Sequence, residues 1–134
     1  MKRIIASRAS GKSTELLRMA LENHGNIAVF SSHAVETFVV LARDVLHIPP
    51  EEIETAYSAG WARIKDVTVA SILEYVGITD TRGFNRAKPL YIDEIGLCMQ
   101  SLLYRFKLGG YTESLEEASY ENVDGEKRDY EEET

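Results

Sequence analysis

The sequence predicts an α/β fold with a mostly parallel central sheet and helices packed on its faces. Short apolar runs alternate with amphipathic helical segments over the first half of the chain. Gly25 and the Pro49-Pro50 pair stand where the first two helical segments should end. This strand, helix, strand, helix order favours parallel pairing, because each helix supplies the long crossover that parallel neighbours need.

The predicted elements follow from these periods. Strands are predicted over 2–6, 26–31, 67–70 and 89–93. Helices are predicted over 12–23, 34–46 and 97–106, and a short helical or extended piece over 72–76. Residues 51–66 show no clear period, so a short helix is one interpretation there, with Trp61 expected to pack on the core. Residues 79–88 are polar and predict a loop.

The charge is divided unevenly along the chain. The 134 residues, 44% of them apolar, are enough for one core, and we expect one domain over residues 1–112. Residues 113–134 hold ten acidic side chains against Lys127 and Arg128, which leaves a net charge near +1 for the rest. This segment is predicted to be an acidic tail, disordered or with a short hairpin around Asp124-Gly125. A nearly neutral body neither demands nor excludes DNA as a partner.

The only cysteine is Cys98, which excludes an internal disulfide and a cysteine-rich zinc ribbon. No apolar run in the sequence is long enough for a signal peptide or a membrane span. We therefore expect a soluble protein of the cytoplasm with no membrane partner.

The loop before the first helix carries a phosphate-binding pattern. A polyphosphate needs converging backbone N–H groups, an ammonium group and a hydroxyl for the metal ion, and a glycine-containing loop that opens a helix supplies them. The spacing GxxxxGK[ST] is matched except at the first position, where Ala6 replaces glycine. Lys12 is predicted to reach the β- and γ-phosphates of ATP, and Ser13 to hold Mg²⁺. The predicted nucleotide-binding residues are Ala6, Ser7, Arg8, Ala9, Ser10, Gly11, Lys12, Ser13 and Thr14.

An ordinary helix start is the alternative interpretation of this loop, with Ser10 as the N-cap and Lys12 in solvent. A Gly-Lys-Ser tripeptide by itself is weak evidence for a nucleotide site. Its position between a predicted strand and a predicted helix favours phosphate binding, because the mechanism requires that context.

Two adjacent acids, Asp93 and Glu94, end the fourth predicted strand. An Asp at the end of a strand that lies beside the first strand holds Mg²⁺ in P-loop enzymes, generally through water. Asp93 is predicted to take that role, and Glu94 is the candidate general base that activates a water or a substrate hydroxyl. The alternative for Glu94 is an acid at a helix N-terminus, stabilised by the helix dipole.

With these two motifs the sequence resembles the P-loop ATPases that place a catalytic Glu directly after the metal-binding Asp, the group of RecA-like motors, helicases and viral packaging ATPases. Within that group it is most similar to the ATPase half of phage terminase large subunits, on Arg8 inside the loop and Arg82-Gly83 before the metal strand. Those ATPases also tolerate a residue other than glycine at the first loop position, as Ala6 is here. The sequence departs from that family because no clear polar coupling strand follows the acids.

The resemblance implies Mg²⁺-dependent ATP hydrolysis by the catalytic residues Glu94, Lys12 and Arg8, the last as an additional phosphate contact. It also implies DNA as a candidate partner and the cytoplasm of a bacterial or phage-infected cell. Such motors often receive an arginine finger from a neighbouring subunit, so a homo-oligomer or a partner subunit is expected and the isolated chain should be slow.

Two other functions stay open at this point. Ser10 to Arg18 and the Ile-Asp-Glu run also resemble thymidine kinases, in which Glu94 would take a proton from a nucleoside hydroxyl. Those kinases close over the nucleoside with a zinc ribbon, which Cys98 alone cannot build. The other hypothesis is a regulatory or structural subunit that binds a nucleotide and hydrolyses it poorly.

Overall fold

The computed structural model describes residues 2–4, 11–77, 87–104, 106, 109–110, 112 and 119–121. The strands are β1 (Lys2–Ile4), β2 (Asn26–Val29), β3 (Ile53–Ala56), β4 (Trp61–Ile64), β5 (Val67–Ser71), β6 (Leu90–Ile92) and β7 (Ser119–Glu121). The α-helices are α1 (Lys12–Glu22), α2 (Ser32–Val40), α3 (Ile72–Val76) and α4 (Ile95–Leu102). A π-helical turn (Leu41–Val45) and two 3₁₀ turns (Pro50–Glu52 and Tyr57–Ala59) complete the described elements.

Five of the strands form one mixed sheet in the order β3-β4-β5-β2-β6. β2 pairs in parallel with both β5 and β6, whereas β4 pairs antiparallel with both β3 and β5. The α/β class is therefore as predicted, but the sheet is less parallel than the sequence indicated. In the described residues β1 pairs in parallel with β7, and the strand beside β6 is β2 rather than the first strand.

The antiparallel half of the sheet comes from residues 51–66, the stretch without a clear period. Instead of the short helix considered for this stretch, β3 and β4 pair with each other, and a two-residue turn at Lys65-Asp66 joins β4 to β5. A turn this short brings only antiparallel strands together. Lys65 adopts a left-handed φ of 54°, which the sequence did not signal, because Asn-Gly or Asp-Gly is the usual pair at such a turn.

Trp61, expected on the core, is half-buried at the start of β4. The guanidinium carbon of Arg63 lies 5.5 Å from the centre of its ring. Arg63 also forms an ion pair with Glu54 of β3, at 3.5 Å. The indole therefore covers part of the sheet next to charged side chains and does not join the buried clusters.

Apolar side chains pack on both sides of β2. Ile27 and Val29 belong to the larger buried cluster, which includes Leu17 of α1 and Phe38 of α2. Ala28 points to the opposite side and belongs to a cluster with Ile72 of α3 and Cys98 of α4. Because residues 26–29 are buried on both faces of the sheet, the sequence shows no alternation of inward apolar and outward polar side chains there. The remaining members of the larger cluster are Ala20, Ala34, Val35, Val39, Ala42, Ile48, Ala62, Ile64, Val67 and Val69.

No helix in the described part of the chain has the length and apolar character needed to cross a membrane. α2 begins at an N-cap serine, Ser31, whose side chain accepts a hydrogen bond from the N–H of Ala34 at 3.4 Å. The helix then widens into the π-turn and ends before Pro49-Pro50, close to the predicted end.

We predict that Gly25→Ala destabilises the fold by about 1–3 kcal/mol, because a Cβ at this position has no free space. The added atom would lie 2.6 Å from the Tyr91 ring and 2.7 Å from the carbonyl oxygen of Pro89. The ring cannot easily withdraw, since the Tyr91 hydroxyl accepts a hydrogen bond from Asn23 at 2.9 Å. Urea denaturation of both proteins measures the change in the free energy of unfolding.

Gly96→Ala is the matched control for this prediction. A Cβ on Gly96 meets no atom within 4 Å, and the residue lies inside α4. Because alanine favours helix, this variant should be as stable as the wild type or up to about 1 kcal/mol more stable. Equal stability of the Gly25 variant and the wild type would contradict the close packing of Gly25 on Tyr91.

Tyr75 joins α3 to two central strands. Its hydroxyl lies 2.9 Å from the carbonyl oxygens of both Ile27 and Thr68, so one proton serves two acceptors. Burial raises the pKa of this hydroxyl, which keeps it protonated and able to donate. We expect Tyr75→Phe to lower the free energy of unfolding by about 1 kcal/mol, measured by denaturant titration.

The control for this substitution is Tyr57→Phe, since Tyr57 is exposed. Its effect should stay within about 0.5 kcal/mol. A Tyr75 variant no less stable than this control would mean that the buried hydroxyl contributes nothing to holding α3 on the sheet.

Candidate functional site

The two acids predicted at the metal strand lie at the carboxyl end of β6. Asp93 follows the last residue of the strand, and its N–H donates to the carbonyl oxygen of Ala28 in β2 at 3.0 Å. β2 and β6 are parallel, so both strands end at this edge of the sheet. Ligands of open α/β sheets bind outside the carboxyl ends of the strands, and the acids occupy that position.

The first turn of α1 faces this edge. The residue that caps the helix is Gly11, with φ 89° and ψ 11°, a left-handed conformation that glycine adopts readily. Its carbonyl oxygen accepts the first helical hydrogen bond, from the N–H of Glu15 at 3.0 Å. The helix therefore starts directly after the glycine, and its first N–H groups point out of the helix N-terminus.

The structure brings four of the predicted site residues together. The hydroxyl of Ser13 donates a hydrogen bond to Oδ1 of Asp93 at 3.1 Å. The ammonium nitrogen of Lys12 lies 2.6 Å from Oε1 of Glu94. The interpretation of Lys12 as a purely solvated side chain is therefore wrong for this structure. Sequence segments that lie far apart in the chain meet here as two adjacent polar pairs.

Polar neighbours only partly replace the water that the Asp93 carboxylate loses when it is buried. Burial raises the pKa of Asp93, while the hydrogen bond from Ser13 acts in the opposite direction. The neighbouring charge of Glu94 raises the pKa further, and the charge of Lys12 lowers it. A cation at this position would favour the ionised carboxylate, because an opposite charge nearby stabilises the charged form.

Cys98 supports the turn that holds both acids, a role that sequence reasoning missed. Its thiol donates to the carbonyl oxygen of Asp93 at 3.3 Å, and its N–H donates to the carbonyl oxygen of Glu94 at 3.0 Å. Burial raises the pKa of the thiol to about 11, with further contributions from the charges of Asp93 and Glu94. The spacing of Cys98 from the acids, one helical turn, is the only signal that could have indicated it.

α4 is also anchored to the end of β2. The hydroxyl of Ser101 donates to the carbonyl oxygen of Phe30 at 2.8 Å. Together with Cys98, this bond fixes the helix that follows Glu94 against the strand next to β6. The acids are thus held between a buried strand and a helix with two polar anchors.

Several predicted site residues cannot be compared with this geometry. Ala6, Ser7, Arg8, Ala9 and Ser10 lie outside the described residues, as do Arg82-Gly83 and most of the hairpin proposed around Asp124-Gly125. Thr14 lies in the first turn of α1, next to Ser13. Three residues of the segment predicted as an acidic tail, Ser119–Glu121, form β7.

Ser13 and Asp93 are the described residues that would hold a magnesium ion shared with a phosphate. A hydroxyl and a carboxylate supply the oxygen ligands that Mg²⁺ prefers, and these two oxygens lie 3.1 Å apart. Within the described ranges no three His, Cys, Asp or Glu side chains form a metal-binding group, so phosphate oxygens and water would have to complete the coordination.

Comparison with protein-family models, with curated proteins and with solved structures finds no match to this chain. The resemblance to motor ATPases remains an interpretation of two motifs.

Proposed function

We propose that the chain is a P-loop nucleoside triphosphatase that binds and hydrolyses ATP with Mg²⁺. The observation that carries the proposal is the meeting of two motifs. Lys12 and Ser13, which follow a left-handed Gly11, lie against Asp93 and Glu94 at the end of a parallel strand. The proposed fold is the three-layer P-loop NTPase, with the nucleotide at this edge of the sheet.

Each of the four residues has a separate role in this proposal. The ammonium group of Lys12 binds the outer phosphates, aided by backbone N–H groups at the start of α1. Ser13 and Asp93 hold Mg²⁺, which neutralises charge on the phosphates when it is bound. Glu94 accepts the proton of the attacking water while the γ-phosphate leaves ADP, so that the products are ADP and inorganic phosphate.

Among the described residues, no arginine is assigned a role at this site. Arg8, in the phosphate loop, is proposed as an additional contact to the phosphates. A neighbouring subunit is proposed to supply an arginine finger, a contribution worth several orders of magnitude in rate. We therefore expect slow hydrolysis by the isolated chain, and faster hydrolysis in a homo-oligomer or with a partner.

The test combines nucleotide binding and turnover. Titration calorimetry with ADP and a non-hydrolysable ATP analogue, with Mg²⁺ and with EDTA, measures binding, and release of inorganic phosphate measures hydrolysis. We expect binding to ATP analogues and a slow Mg²⁺-dependent release of phosphate. The absence of binding to any common nucleotide would contradict the proposal.

The same assay distinguishes the other functions. Hydrolysis stimulated by DNA would support a nucleic-acid motor, such as a viral DNA-packaging system. Phosphorylation of thymidine would support a nucleoside kinase in which Glu94 deprotonates the acceptor hydroxyl. Binding without turnover, even with DNA, would support a regulatory subunit that uses the nucleotide to control assembly.

A further inference from the structure

Lys12 already has an anionic partner in this structure. Its ammonium nitrogen lies 2.6 Å from Oε1 of Glu94, with the two side chains 24% and 34% exposed. The ion pair is therefore partly shielded from water. Water screens the attraction between the two charges less than it would screen a fully exposed pair. A carboxylate oxygen thus occupies a place beside the ammonium that a phosphate oxygen would need.

The backbone of Glu94 is held in an uncommon conformation while it makes this contact. Its φ of 54° and ψ of 65° lie in the left-handed region, which a non-glycine residue seldom adopts without local support. That support comes from both sides. Asp93 is bonded to β2 through its N–H, and Cys98 is bonded to the carbonyl oxygens of Asp93 and Glu94. The turn therefore directs the Glu94 side chain towards α1.

The hydrogen bond between Ser13 and Asp93 does not compete with the ion pair between Lys12 and Glu94. Ser13 is bonded to Asp93 and not to Glu94, so Asp93 keeps its own partner when Lys12 pairs with its neighbour. The ammonium group also lies close enough to Asp93 to lower the pKa of that carboxyl. Lys12 is the cation of the described site, and it is engaged by the residue proposed as the base.

We infer that the Lys12 to Glu94 ion pair is an internal latch, in which Glu94 competes with the phosphates for Lys12 until a nucleoside triphosphate displaces it. This inference rests on the proposed function and adds a regulatory contact to it. The replacement of Glu94 by a phosphate as the partner of Lys12 would then have two effects. The phosphates gain the ammonium group, and Glu94 is released to orient water. Without a nucleotide, Glu94 stays paired with Lys12 and is not free to act as the base.

The latch predicts a measurable effect on nucleotide affinity. A partly exposed ion pair contributes little, so its removal should tighten binding by about two- to fivefold. Glu94→Gln removes the charge of the competitor. Glu94→Asp keeps that charge but is one methylene shorter, so with the backbone in place its carboxylate lies farther from Lys12 than the observed 2.6 Å. We expect both variants to bind a non-hydrolysable ATP analogue more tightly than the wild type.

The affinities are measured by titration calorimetry in EDTA, where no turnover or metal contact enters, and circular dichroism checks that each variant is folded. Tighter binding by both variants supports the latch. Tighter binding by Glu94→Gln alone would show that only long-range charge repulsion was removed and would overturn it, as would unchanged affinity in both. If the wild type binds the analogue and the variants match it, the latch fails alone. The same titrations are repeated with Mg²⁺, and if none of the three proteins binds the analogue in either buffer, the proposed function fails with the latch.

Discussion

Lys12→Ala should weaken the binding of ATP analogues by about 10- to 150-fold, the largest effect on affinity that we expect from a single substitution. The estimate corresponds to the loss of one charge-assisted hydrogen bond to phosphate, about 1.5–3 kcal/mol. The substitution also leaves Glu94 without its partner at 2.6 Å. Calorimetry with a non-hydrolysable analogue and Mg²⁺ measures the change.

Arg18→Ala is the matched control for this prediction. Arg18 lies on the same helix, 52% exposed, and its ion pair is with Glu15 rather than with either acid of the site. Its removal lowers the positive charge of α1 by the same amount, so a loss caused by net charge alone would be similar in both variants. Wild-type affinity in the Lys12 variant would remove Lys12 from the phosphate site.

Glu94→Gln should slow phosphate release by about 100- to 10,000-fold although the variant still binds the nucleotide, because glutamine cannot accept the proton of the attacking water. The turn at Glu94 should persist. Its neighbours Asp93 and Cys98 hold the backbone through bonds to the strand and within α4, none of which uses the Glu94 side chain. A single-turnover assay of phosphate release with Mg²⁺ separates chemistry from product release.

Glu51→Gln offers a comparison for this variant. Glu51 is exposed in the 3₁₀ turn before β3, the strand at the opposite edge of the five-stranded sheet from β6. Removal of its charge should leave the rate within about twofold of the wild type, as for surface substitutions away from a site. Rapid hydrolysis by the Glu94 variant would assign the proton acceptor to another group and leave Glu94 only its pairing with Lys12.

Local patterns were enough to locate the candidate site. The apolar period of residues 12–23 predicts α1 to within one residue at its end, and the acids after 89–92 are found where β6 stops. Both motifs consist of neighbours in sequence, so their geometry depends on one loop and one strand end. The contacts of Lys12 and Ser13 with the acids follow once both segments lie at the same edge of the sheet.

The antiparallel half of the sheet could not be predicted in the same way. Residues 53–64 carry Ile and Thr next to Glu and Arg, and neither the helical nor the strand period dominates. Their strands exist because β5 offers an edge to β4, and β4 in turn offers one to β3. The Lys65-Asp66 turn that starts this series lacks the glycine that usually marks such a hairpin.

The sequence by itself determined the α/β class, the boundaries of α1 to within one residue and the two motifs of the candidate phosphate site, since each follows from short-range periodicity and spacing. Only the tertiary structure decided which strands are neighbours, that β1 pairs with β7, and that Lys12 is engaged by a left-handed Glu94. The physical reason is that every residue offers the same backbone N–H and C=O groups to a neighbouring strand. The choice of partner therefore depends on which distant side chains bury each other.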